Sequence, residues 1–267
     1  MWLPWGRAAT WGRFMDVKTA GRTLDLFETF ARAQTPLSLS ELARALNAPP
    51  SSCFNLIRAL QARGYLYSLR PRQLYPTRRL FEVAKAISAG EPWMARVEPV
   101  LELLRDRTHE TVILGKRQGD RVVYLDVIEG PQTIRYTARA GDLKPLHSSS
   151  IGKALLGTLG PAELAEVLKQ LPLERVTGAT ITNRGALLAD LERGRKRGCF
   201  VTAGENVADV MAVAAAVRLD GDVYGIAIAG PIHRMEDDLT RHVSALKTAC
   251  AAVTDLTRGR TALRQRG

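Results

Sequence analysis

The sequence predicts an α+β protein. An N-terminal all-α winged helix-turn-helix head leads through a connector helix to a larger body, where an antiparallel sheet is flanked by helices. Three observations predict it. Residues 37–67, LSLSELARALNAPPSSCFNLIRALQARGYLY, read as two short helices, a tight turn and a strand. Turn signals at Gly119-Asp120 and Asp220-Gly221-Asp222 stand on either side of a helical middle, which argues for hairpins in an antiparallel sheet covered by helices. Positive charge is shared unevenly: residues 1–90 hold 13 basic and 5 acidic side chains, whereas residues 91–267 hold 25 and 22.

Residues 1–16 are expected as a flexible arm. The first 14 hold Trp2, Trp5 and Trp11 but no continuous apolar core of signal-peptide type. The composition changes at Met15, which is an alternative start. The head is expected over 17–78. Its first helix, Val17–Ala33, should turn Leu24, Phe27, Phe30 and Ala31 inward. Ser38 and Glu41 fit a capping box, in which a hydroxyl and a carboxylate three residues apart satisfy free amides at a helix start. Leu39, Leu42 and Leu46 follow at helical spacing. Pro49 and Pro50 cannot continue that helix, because they lack amide donors and restrict the residues before them. A second helix is expected to start at Ser51 or Ser52, to bury Cys53, Leu56, Ile57 and Leu60, and to close at Gly64.

If that face is buried, Ser51, Ser52, Phe54, Asn55 and Arg58 point outward. Hydroxyl, amide and guanidinium groups are the types that read base edges or hold phosphates, and a ring can touch a thymine methyl. The plainer reading is a helical hairpin with a solvated outer face. After Gly64, Tyr65–Ser68 and Leu74–Thr77 read as two strands joined by Leu69-Arg70-Pro71-Arg72-Gln73, a basic tip. Directly behind a helix-turn-helix this is a wing, with Arg70 and Arg72 placed to lie against backbone or minor groove. An ordinary solvated hairpin tip is the alternative. Arg22, on the first helix, completes the candidate DNA-binding set.

The whole chain carries 38 Lys plus Arg against 27 Asp plus Glu, a formal charge of +11 and a pI near 10.0. Because most of the excess sits in the first third, it is the footprint of a nucleic-acid-binding head on a nearly balanced body. Hydrophobic content of 46% and charged content of 24% are ordinary for a globular protein. No run approaches the ~18 apolar residues of a membrane span, so no membrane partner is expected. Cys53, Cys199 and Cys250 are odd in number and far apart, which disfavours a disulfide framework and fits a reducing cytoplasm.

The connector is expected over 79–92, a helix through Leu80, Val83, Ala84 and Ile87 broken at Gly90-Glu91-Pro92. The body is expected over 93–260, with a basic tail at 261–267. It should open with a helix at Trp93–Arg107 burying Val97, Val100, Leu101 and Leu104. Strands at Thr111–Lys116, Arg121–Ile128 and Thr133–Arg139 should follow, then helices at Ser148–Leu159, Pro161–Leu171 and Asn183–Arg197. Strands at Met211–Leu219 and Val223–Ala229 and a helix at Met235–Thr257 close the chain.

Catalytic chemistry is thinly supported. Ser150-Ile151-Gly152-Lys153 has the Ser-x-x-Lys spacing of acyl enzymes, but Ser-Asp-Asn and Lys-Thr-Gly partners are missing at suitable places. A Ser150/Lys153 acyl-transfer hydrolase with a vestigial DNA head remains as the alternative. His109, His147, His233 and His242 form no metal set, and His147 fits a turn better than a catalyst. Glu205 and Asp209 could edge a pocket, though a solvated loop is the simpler reading. No Gly-rich phosphate loop follows a strand, so no cofactor, metal or catalytic residue is expected.

The two halves together resemble the IclR family of bacterial transcriptional regulators. Three stretches carry the resemblance. They are VKTAGRTLDLFETFARAQTPLSLSELARALNAPPSSCFNLIRALQARGYLY at 17–67, Lys144-Pro145-Leu146-His147 through Gly152-Lys153-Ala154, and the run from Gly198 through Glu205 and Ala212-Val213-Ala214 to Gly230-Pro231. The resemblance implies a GAF-like body that binds a small organic effector, and a homodimer or dimer of dimers on a double-stranded DNA operator. Carried over position by position, it implies an effector pocket lined by Lys144, Ser149, Ser150, Ile151, Thr202, Ala212, Ala227 and Ala229. Two departures stand out. Ala227-Ile228-Ala229 occupies the place where members that bind small carboxylates have Ser-x-Ser, and a buried carboxylate without donors is costly. An apolar or aromatic effector is therefore expected, or one anchored by Lys144 and the hydroxyls at 148–150. Asn55 stands where the family often has Arg, which shifts the expected DNA contact toward Arg58.

Overall fold

The computed structural model describes residues 17–70, 72–90 and 93–264. The arm at 1–16, Pro71 at the wing tip, Glu91-Pro92 and the end of the basic tail lie outside the described residues. The chain divides into two compact units, Met1–Pro92 and Trp93–Gly267.

The first unit holds α1 (Lys18–Ala33), β1 (Leu37–Ser38), α2 (Leu39–Ala45), α3 (Pro50–Ala62), β2 (Leu66–Arg70), β3 (Gln73–Pro76) and α4 (Arg79–Ala89). The capping box forms: the Glu41 amide donates to Ser38 Oγ at 3.3 Å, and the Ser38 amide donates to Glu41 Oε2 at 2.7 Å. Asn47 turns the chain with φ of +46° before the prolines. Pro50, not Ser51 or Ser52, opens α3. Proline's fixed φ suits a first helical position, where the missing N–H would have no partner anyway. Leu26, Phe30, Leu42, Cys53, Ile57, Leu60, Leu66 and Leu74 form the core of this unit. The inward face of α1 is therefore Leu26, Thr29 and Phe30. The expected Leu24 and Ala31 are exposed, because the buried stripe runs through Leu26 and Phe30 on another side of the helix. β1, β3 and β2 make a three-stranded antiparallel sheet, so the head is not purely helical. α4 is the expected connector helix; it buries none of its residues, and Leu80, Val83 and Ile87 are exposed.

The second unit holds α5 (Met94–Thr108), β4 (Thr111–Gln118), β5 (Arg121–Ile128), β6 (Leu143–Pro145), α6 (Ser150–Gly157), α7 (Pro161–Gln170), α8 (Arg184–Arg197) and β7 (Phe200–Ala203). β8 (Val210–Leu219), β9 (Asp222–Pro231), α9 (Ile232–Asp237) and α10 (Leu239–Arg264) complete it. Six strands pair antiparallel in the order β6-β5-β4-β9-β8-β7. The β8–β9 turn is Asp220-Gly221, both with positive φ, as a two-residue hairpin turn demands. Thr133–Arg139 is not a strand. It belongs to a long crossing loop, and β6 takes the third-strand place at 143–145. The last helix is two: α9 ends at Asp237 and α10 begins at Leu239.

Side-chain alternation along β8 and β9 gives the sheet two unlike faces. Met211, Val213, Val217, Ile226 and Ile228 share a core with Val97, Leu101 and Leu104 of α5 and Leu246 and Val253 of α10. Ala212, Ala214, Ala227 and Ala229 face the other way, into a core with Ile151, Ala154 and Leu155 of α6 and Leu187 and Leu191 of α8. Small residues on that face let α6 approach closely. A side chain at Gly225 would meet Ile151 at 2.6 Å, and one at Gly152 would strike the Leu146 carbonyl.

Candidate functional site

On the head, Ser51, Ser52, Phe54, Asn55 and Arg58 are all exposed on α3, opposite the buried Cys53, Ile57 and Leu60. The Arg58 guanidinium carbon lies 5.9 Å from the Phe54 ring centroid. Arg22 and Thr19 of α1 share a groove with Ser52 and Asn55, so one wall of that groove comes from the first helix. The wing is tied to α3 where Gln61 Nε2 donates to Ser68 Oγ at 3.1 Å. Thr77 donates its hydroxyl to the Gly64 carbonyl, and its amide bonds the Tyr65 carbonyl at 2.9 Å. Arg70 closes the hairpin opposite Gln73, and Arg72 takes φ of +71° at the tip.

In the second unit a cleft opens between the alanine face of the sheet and the start of α6. Its enclosed volume is about 30 Å³, far below the roughly 300–1,000 Å³ of small-ligand sites, so its lining must move apart to admit a ligand. Ser149, Ser150, Thr202, Ala212, Ala227 and Ala229 line it, joined by Ile113, Tyr124, Tyr136, Asn206, Val207 and Val210. Strand register sets the floor: Thr202 pairs with Ala212, Ala212 with Ala229, and Ala227 with Ile113. Ser149 caps α6 by accepting from the Gly152 amide at 3.0 Å, so the positive end of a helix faces the cleft. Burial, with Tyr136 alongside, raises the Tyr124 hydroxyl well above its ordinary value and keeps it neutral. Among the described residues no cation or carboxylate lines the cleft; its polar groups are hydroxyls and one amide.

Two expected residues stand elsewhere. Lys144 sits 3.4 Å from Asp142 and 5.7 Å above the Tyr124 ring, outside the lining. Ile151 is spent on Gly115 and Gly225, wedging α6 to the sheet. Tyr136 reaches the cleft from the loop at 133–139, where the alternation predicts a strand. The hydroxyl of Thr111 holds it there by donating to its carbonyl. Asn206 and Val207 follow Glu205, and nothing in their local pattern marked them.

Lys153 lies behind this wall. Its Nζ, fully buried, donates at 2.6 Å to Asp190 Oδ2 and at 2.6 Å to Glu205 Oε1. Glu205 is thus a buried ion-pair member and not part of a solvated loop, whereas Asp209 is exposed. An ammonium committed to two carboxylates is no free base for a Ser150 nucleophile, which removes the basis of the acyl-transfer alternative. His147 bonds the Glu174 carbonyl through Nε2 at 3.0 Å, and burial lowers its pKa. Among the described residues no cluster of His, Cys, Asp and Glu could hold a metal ion. No helix among them is long and apolar enough to cross a membrane.

Known proteins align with both units. A family model described as the IclR helix-turn-helix domain matches residues 19–70, and one described as the bacterial transcriptional regulator IclR C-terminal domain matches 91–255. The chain is 34% identical over 226 residues to the HTH-type transcriptional regulator BhcR of Paracoccus denitrificans, covering 83% of this chain and 80% of that one. It is 31% identical over 206 residues to the HTH-type transcriptional repressor AllR of Escherichia coli, covering 75% of each. Among solved structures, Thermotoga maritima IclR superposes with a TM-score of 0.76 at 26% identity, covering 90% of this chain and 98% of that one. An IclR homologue from Microbacterium hydrocarbonoxydans, complexed with 4-hydroxybenzoate, shares the fold with a TM-score of 0.72 at 24% identity, covering 90% and 99%.

Proposed function

The chain belongs to the IclR family of bacterial transcriptional regulators, and from that premise we propose how it reads DNA and what it senses. It is a sequence-specific DNA-binding regulator governed by a small effector. The ridge Ser51–Arg58 enters the major groove of the operator, Arg22 and Thr19 brace it from α1, and Arg70 and Arg72 of the wing meet the adjacent backbone or minor groove. The observation that carries this reading is the polar exposed face of α3 in the part of the chain holding most of the excess positive charge. The protein acts on the chromosome in the cytoplasm, as a homodimer or dimer of dimers matched to a palindromic site, and performs no catalysis.

The effector belongs in the cleft at the start of α6. Its lining of Ile113, Val210 and three alanines favours an apolar body, and Tyr124 and Tyr136 favour an aromatic one. One polar end of the ligand lies against the hydroxyls of Ser149, Ser150 and Thr202, where the helix terminus favours partial negative charge. The ligand changes operator affinity only insofar as it binds two states of the protein unequally.

A mobility shift with the intergenic DNA upstream of the gene tests the first part. A retarded band that weakens steeply with salt is expected, because phosphate contacts release counterions. A band insensitive to salt, or none, refutes it. Adding small aromatic acids to the same assay tests the second part. Thr202→Val should shift the response of any acid that alters the band.

A further inference from the structure

We propose that Phe54 and Arg58 read the operator as one unit, and that each half-site carries a guanine and a thymine on neighbouring base pairs beneath them. The inference rests on α3 being the recognition helix and deepens that reading. Phe54 leaves 49% of its surface exposed on a ridge otherwise made of Ser51, Ser52, Asn55 and Arg58. Packing does not explain a ring there, since the apolar face of α3 is complete in Cys53, Ile57 and Leu60. What touches the ring is Arg58, one turn on, with its guanidinium carbon 5.9 Å from the ring centroid. That lies within the reach of cation–π attraction.

The chemistry follows from this contact. Arginine reads guanine by donating two parallel hydrogen bonds to the two acceptors on its major-groove edge, and an aromatic ring offers apolar surface to the thymine methyl. A guanidinium resting on a ring has fewer orientations to lose when it binds. Residues four apart on a helix are separated by about 6 Å along its axis, whereas successive base pairs are about 3.4 Å apart. Two side chains in mutual contact therefore reach the same or adjacent pairs, not distant ones. Phe54 also shares a stripe of α3 with Gln61, which bonds the wing at Ser68. Arg58 is three residues from Gln61 and Phe54 seven, so the guanine lies toward the wing-contacted side of the half-site and the thymine beneath the centre of the ridge.

The test uses the full chain. Binding sites are selected from random duplexes, and base analogues are then placed in the selected site. The expected consensus holds the neighbouring guanine and thymine. Replacing that thymine by uracil, which removes one methyl, should weaken the wild type about four-fold and leave Phe54→Ala unaffected. Replacing the guanine by 7-deazaguanine, which lacks one acceptor, should weaken the wild type roughly ten-fold and leave Arg58→Ala unaffected. Phe54→Ala should also shrink the 7-deazaguanine penalty, as coupled reading requires. Both side chains are exposed, so equal melting curves establish that the variants fold. A consensus without the pair overturns the inference, as do analogues that weaken wild type and variants equally or leave the wild type unchanged. Failure to select any duplex overturns the recognition-helix reading itself, and this inference with it.

Discussion

Replacing Lys153 by methionine should destabilise the second unit by about 3–5 kcal/mol at neutral pH. Methionine fills much of the same volume, so the loss is chiefly electrostatic. It leaves the buried Glu205 and the part-buried Asp190, each 2.6 Å from the ammonium in the wild type, without their common cation. Asp190 retains Arg193 at 2.9 Å, so most of the penalty falls on Glu205. For a unit of this size that corresponds to a fall in Tm of about 10 °C, measurable by calorimetry. The pH dependence identifies the cause. Burial raises the Glu205 carboxyl above its ordinary 4.5, and Lys153 opposes that rise. A carboxyl whose folded-state pKa exceeds its unfolded one binds more protons when folded, so stability falls as pH rises from the unfolded value through the folded one. Without Lys153 the folded value climbs further and that fall deepens. The deficit of Lys153→Met should therefore be greatest at neutral pH and narrow as the pH drops toward about 5. A deficit below about 1 kcal/mol would refute the argument that the ion pairs hold this wall. A large deficit independent of pH would assign the loss to packing instead.

Gly194→Ala should cost about 1–3 kcal/mol, because a methyl there would lie 2.3 Å from the buried Phe200 ring. Phe200→Leu in the same chain should recover part of the loss, and strictly additive melting temperatures would contradict this. Ser38→Ala should destabilise the head by about 1 kcal/mol through loss of the capping box, read by urea unfolding; a midpoint unchanged within error would place the stability of α2 in its packing. Arg58→Ala should loosen operator binding in a sequence-dependent way, whereas Arg72→Ala should weaken all duplexes alike and reduce the salt slope by about one. Unchanged operator affinity in the first variant would remove Arg58 from the contact surface.

The head was legible because its signals are local. A hydroxyl three residues before a carboxylate, two prolines between apolar stripes and a basic turn each act within one helical turn or one hairpin. α1 was misjudged at that same level. Leu24 and Leu26 fit alternative stripes, and only packing against Leu42 and Cys53 selects Leu26. In the second unit the hairpin turns were readable, but the joining of β4 to β9 was not. Thr111 and Ala229 lie over a hundred residues apart, and no turn chemistry announces their pairing. The strand expected at 133–139 shows the opposite failure. Its alternation has β character, yet the segment pairs with no strand of the sheet. The segment is held by Thr111 bonding the Tyr136 carbonyl and Arg234 bonding the Ile134 carbonyl at 2.9 Å. Lys153 looked like half of a catalytic pair because sequence shows its neighbour at i−3 and hides partners 37 and 52 residues on.

The cleft owes its existence to the two-residue period of the strands. Had β8 and β9 carried branched residues at every position, both faces of the sheet would be filled and α6 would be pushed away. Instead the bulky members Val213, Val217, Ile226 and Ile228 all fall on the face toward α5 and α10. The alanines at 212, 214, 227 and 229 fall on the other. That face can accept α6 at Ile151 and still leave space beside Ser149 and Ser150. A one-residue slip of β9 against β8 would exchange the faces and close the cleft with Ile226 and Ile228. The Asp220-Gly221 turn, whose geometry only a two-residue loop satisfies, fixes the register against that slip. Ala227 and Ala229 thus leave open the space that the hydroxyls of Ser149, Ser150 and Thr202 and the rings of Tyr124 and Tyr136 surround.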